Sequence, residues 1–94
     1  MSDNNTTSSN NNTTFGALPV GGVLVKSATS FKVPFTISLS SSDAARKIEL
    51  STNGIDYFLP TYDATLTGLI NVAIKAPIRC FKLTGAVNDQ WGTL

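Results

Sequence analysis

The sequence predicts a small all-β domain, an antiparallel β-sandwich or barrel of six or seven strands that follows an extended N-terminal arm. Three observations predict it. Apolar and polar residues alternate along several short segments, Gly, Pro, Asn and Ser punctuate the chain at the spacing of turns, and no segment carries a convincing helical period.

The opening stretch MSDNNTTSSNNNTT holds almost nothing that could enter a core. Its Asn, Ser and Thr side chains compete with the backbone for hydrogen bonds and bury little apolar area. Residues 1–19 are therefore read as a flexible polar arm and residues 20–94 as the sandwich domain. From Phe15 the composition changes to FGALPVGGVLVKS, whose Gly and Pro permit extended chain but not helix. Val20 to Lys26 reads as a first, edge-like strand. Next, Phe31, Val33, Phe35, Ile37 and Leu39 alternate with Lys32, Pro34, Thr36, Ser38 and Ser40, the period of a half-buried antiparallel strand. Pro34 cannot donate a ladder hydrogen bond, so this strand is expected at an edge or with a bulge near its middle.

A Ser and Asp cluster then predicts a loop, with one helical turn through Asp43 to Arg46 capped by a serine. Asn53-Gly54 suits a type I′ hairpin turn between Lys47 to Ser51 and Ile55 to Leu59, and Pro60 ends the return strand. After a loop from Thr61 to Gly68, Ile70, Val72 and Ile74 mark one face of a strand closed by Pro77. In Ile78 to Thr84 one face carries Ile78, Cys80 and Lys82 and the other Arg79, Phe81 and Leu83. Gly85 to Gln90 turns the chain into a last short strand that ends at Leu94.

Size and composition limit what this domain does. About eighty foldable residues bury only roughly 60% of the surface the unfolded chain exposes, so stability is marginal without a staple or a partner. One cysteine permits no intrachain disulfide, and the absence of histidine and of paired cysteines leaves no structural zinc site. Self-association is the cheapest remaining way to bury apolar surface. A formal charge of +1 without a run of either sign gives no footprint for nucleic acid or an anionic membrane. No apolar run reaches the roughly 18 to 20 residues that span a bilayer, and the N-terminus lacks the pattern of a signal peptide, so a cytosol-like compartment is expected.

Acid–base and nucleophilic catalysis rest on histidine, cysteine or carboxylates within hydrogen-bond reach of one another. The chain offers few such groups. Cys80 lies mid-strand and reads as a small core or interface residue. Asp56, Asp63 and Asp89 fall in separate turns or strand ends, at spacings unlike a calcium loop or a glycosidase pair. No catalytic, metal or cofactor residue is assigned, and the protein is read as a non-enzyme. Two sets of binding residues are assigned. Phe15, Leu18, Pro19 and Val20 would anchor the arm on a neighbouring subunit, by strand addition among other routes. Tyr57, Tyr62, Asn88, Asp89 and Trp91 would form a glycan platform, since sugar faces stack on aromatic rings beside amides and carboxylates. For Tyr57 and Trp91 an ordinary packing role outweighs that one.

The stretch KIELSTNGIDYFLPTY followed by APIRCFKLTGAVNDQWGTL resembles small phage virion accessory proteins of the capsid-decoration or head-fibre type, in which a strand, an Asn-Gly or Asp-Gly turn and an aromatic strand precede a short Trp-containing terminal strand. The resemblance covers roughly Arg46 to Leu94 and transfers no ligand residue. It implies a viral structural protein, made in the host cytoplasm and resident in the virion. Its partners would be itself, as a homo-oligomer, and capsid or other virion proteins, with subunit-bridging contacts that stabilise the particle. The alternative is a carbohydrate-binding module or adhesin tip.

Overall fold

A computed structural model describes residues 12–61, 63–64 and 68–94. Among them are eight strands and no helix: β1 Thr14–Ala17, β2 Val23–Ser27, β3 Phe35–Ser40, β4 Lys47–Ser51, β5 Asp63–Ala64, β6 Leu69–Ile74, β7 Cys80–Thr84 and β8 Gln90–Thr93. They form two antiparallel sheets, ordered β1-β8-β3-β6-β5 and β2-β7-β4. The protein is an all-β sandwich, as its alternation predicts, and β5 is a strand of only two residues.

The apolar members of each alternating strand meet in register. Phe35, Ile37 and Leu39 of β3 stand opposite Ile74, Val72 and Ile70 of β6, and all six are buried. From the other sheet Ile48 and Leu50 of β4 lie beside Leu83 and Phe81 of β7, also buried. Each large apolar side chain fully removed from water contributes about 1.5 to 3 kcal/mol, so these two inner faces supply most of what holds the sheets together. Phe81 meets Trp91 of β8 across the core edge to face, with ring centroids 6.2 Å apart.

Four local expectations are corrected. β3 begins at Phe35, directly after Pro34, so the proline lies outside the ladder and β3 needs neither an edge nor a bulge; it is flanked on both sides, by β8 and β6. Phe31 and Val33 instead pack on the core from the preceding loop. The segment after Ser41 is a turn closed by Arg46 N–H donating to Asp43 O at 3.1 Å, not a helical turn, although Ser41 Oγ does accept from Asp43 N–H. Asn53-Gly54 does not form a two-residue type I′ turn, because only Gly54 has positive φ. Asn53 Oδ1 accepts from the N–H groups of Ile55 and Asp56, both at 2.8 Å, and this opens a wider loop whose return is a single bridge, Phe58 against Leu50. The first expected strand, Val20 to Lys26, begins three residues late at Val23 because Pro19 to Gly22 is a turn.

The boundary between arm and domain also moves. Thr14–Ala17 pairs with β8 as an edge strand, and Leu18 enters the core, so the sandwich extends upstream of residue 20. Asn12 ties this start down: its side-chain amide donates to Lys32 O at 2.6 Å and accepts from Lys32 N–H at 2.7 Å, imitating one rung of a ladder. The rest of the expected arm, residues 1–11, lies outside the described residues.

Candidate functional site

The strand order leaves one flank of the sandwich with two exposed strands. β7 faces β8 through Phe81 and Trp91, and β4 approaches β3 and β6, so β2 stands on the same side as β1. Both are outermost in their sheets among the described residues. The chain passes from one sheet to the other on this flank through residues 18–22.

That crossing is held rigidly. Leu18 N–H donates to Asp89 O at 2.8 Å and Leu18 O accepts from Asn88 N–H at 2.9 Å, which pins the crossing to the turn before β8. Gly22 N–H donates to Pro19 O and Gly22 O accepts from Gly85 N–H. Gly21 (φ 97) takes the positive φ that the third position of such a turn requires, and Gly22 (φ 71) follows. The turn lifts Val20 to its tip, 92% exposed. The Asp89 carboxylate closes the turn before β8 by accepting from Ala86 N–H at 2.7 Å and from the Ser41 hydroxyl, and these bonds, Ser41 first, hold its pKa below the ordinary aspartate value.

The four expected interface anchors are therefore divided. Leu18 is spent in the protein's own core, while Phe15, Pro19 and Val20 stay on the surface. Phe15 is 75% exposed and lies over Gly92, where any Cβ would meet its ring at 2.8 Å. Its ring walls a shallow groove of about 290 Å³ on the outer face of the five-stranded sheet, lined also by Ser38, Ser40, Leu69, Gln90 and Leu94. Sequence reading missed this groove. Its only signal is that the outward members of the β3 alternation are small serines, and what makes them a groove is their register with Gly92 and Gln90.

The glycan candidates do not share one surface. Trp91 is opposite Leu39 on the inner face of its sheet and is buried, with its indole N–H beneath Gly16. Tyr57 lies outside the other sheet, where its hydroxyl meets Cys80 Sγ at 3.3 Å and Lys82 Nζ sits 4.4 Å from its ring centroid. The Cys80 contact is the first cause that raises the Tyr57 pKa. Cys80 is buried beneath that ring, consistent with a packing role. Asn88 is exposed at positive φ in the turn before β8, and Asp89 is engaged with Ala86 and Ser41. Tyr62 lies outside the described residues. Among the described residues no group of three metal-ligating side chains comes together.

Comparison of the chain with protein-family models, with characterised proteins and with solved structures gives no match.

Proposed function

We propose that this protein is a non-enzymatic structural subunit of a virion, of the capsid decoration or cement kind, which stabilises a particle through contacts that bridge subunits. The observation that carries the reading is the rigid presentation of apolar side chains to solvent on one flank. Val20 stands almost fully exposed at the tip of a glycine turn that main-chain hydrogen bonds fix to a second turn, and Phe15 stands exposed on a paired strand. An apolar residue on a loose loop needs no explanation, but one held out by an ordered frame is preorganised for a partner. The virion in particular comes from the resemblance of Lys47 to Tyr62 and Ala76 to Leu94 to phage accessory proteins. The carbohydrate reading gains nothing from the placement of Trp91 in the core.

Particles purified from the source of this sequence are expected to contain the protein by mass spectrometry and to bind added protein in cosedimentation, with the Val20→Asp variant remaining in the supernatant. Particles that neither contain nor bind the chain would overturn the virion assignment. Equal binding by Val20→Asp would remove the flank from it.

A further inference from the structure

We propose that two copies join edge to edge through β1, antiparallel about a two-fold axis at Gly16, so that their five-stranded sheets become one continuous sheet. The proposal deepens the reading of the protein as an assembling subunit and rests on it.

The backbone phase of β1 makes the edge available. Leu18 N–H donates to Asp89 O, so the residues in phase with Leu18, Thr14 and Gly16, turn their main-chain groups towards β8. The N–H and C=O groups of Phe15 and Ala17 then point away from the sheet, and they form no hydrogen bond with another described residue. Both residues are exposed, so water satisfies these groups in the single chain. An extended chain laid alongside would satisfy them instead.

The other outer strands are guarded. β2 places Lys26 opposite Phe81 on its inward side, a charge that opposes the packing of a further strand. Leu50 of β4 exchanges both main-chain hydrogen bonds with Phe58, and β6 is paired with β5 at Ile70 and Asn71. β1, reading TFGA, has no charge, no proline and no such cover among the described residues.

The occupant is a second copy because the edge is complementary to itself. A two-fold axis at Gly16 sets Phe15 against the partner's Ala17, and Ala17 against the partner's Phe15, so each large ring faces a methyl group and no like charges meet. Both pairs exchange main-chain hydrogen bonds. So short a contact falls below the roughly 1,200 Å² of a stable interface, which makes the dimer weak in solution and effective only where many copies are held together.

The test is residue-resolved amide hydrogen exchange on the full chain in dilute and in concentrated solution, with molar mass by light scattering. Exchange at Phe15 and Ala17 is expected to slow by about tenfold on concentration while Val23 and Val25 do not change. Ala17→Pro removes one outward N–H and none that bonds β8, and it should abolish both the slowing and the rise in mass while near-UV circular dichroism is retained. If Ala17→Pro does not fold, the exchange of the unaltered chain decides alone. A mass that rises without slowing at Phe15 and Ala17, or with slowing at Val23 and Val25 instead, would overturn pairing through β1 and leave the assembly reading standing. A mass that stays monomeric at every concentration would overturn self-association in both.

Discussion

The two flanks of the sandwich are finished differently. On one, Phe58 bridges Leu50 of β4 and β5 pairs part of β6, so the strand edges are covered by the chain's own loops. On the other, β1 and β2 end their sheets with Phe15, Val23 and Val25 facing solvent and Val20 lifted above them. Covering an edge takes a loop of suitable length, and the segment 52–64 supplies it on the first flank. The segment 18–22 cannot do so on the second, because it is consumed in crossing between sheets. The difference indicates that exposure on the β1 and β2 side, among the described residues, follows from the path of the chain.

The comparison breaks most severely at Gly22. A side chain there needs positive φ and drives its Cβ into Gly85 O, so Gly22→Ala should cost about 2 to 4 kcal/mol and release the turn that presents Val20. Urea unfolding measures the loss; an unchanged midpoint would mean that the crossing is not rigid. A smaller change sharpens the contrast from the covered side. Phe58→Pro removes the N–H that donates to Leu50 O at 2.9 Å, which should cost about 1 to 2 kcal/mol and give β4 an uncovered edge. Light scattering should then show more association than in the parent chain. The smallest effect is pH-dependent. The Asp89 pKa is lowered by its bonds from Ser41 and Ala86, so its contribution is present above the unfolded value of about 4 and is lost as pH falls through the lower folded value. Thermal melts of the parent chain should therefore drop more on acidification than those of Asp89→Asn, and parallel curves would show that the carboxylate does not hold the turn.

Where alternation was strict, the sequence was legible down to the face. Phe35, Ile37 and Leu39 of β3 point inward as their period predicts, and in β7, where the alternation separates two faces without choosing between them, Phe81 and Leu83 are the inward pair. Two features were not legible, one because a contact distant in sequence decides it and one because a side chain captures main-chain groups close by. Leu18 looks like the other apolar residues around it, and only its place at the crossing between sheets sends it into the core. Asn53-Gly54 has the composition of a tight hairpin, but the Asn53 side chain finds the N–H groups of Ile55 and Asp56 and stabilises a wider loop. Trp91 packs in the core, the role the sequence favours for it over glycan binding, while Gly92 beside it on the opposite face lies beneath Phe15. Three of the four interface residues, Phe15, Pro19 and Val20, were thus readable as exposed apolar residues, whereas the groove beside Phe15 exists only through the register of three strands.

The pairing of β1 with β8 joins the first described strand to the last, with Thr14 beside Thr93. Asn12 and Leu94 consequently lie at the same end of the sheet. A pull that separates them would load the rungs one after another, like opening a zipper, instead of shearing them together. The β1–β8 pairing is mechanically weak against tension between Asn12 and Leu94, and a load applied along the flank of the sheet is resisted better than one applied at those two residues.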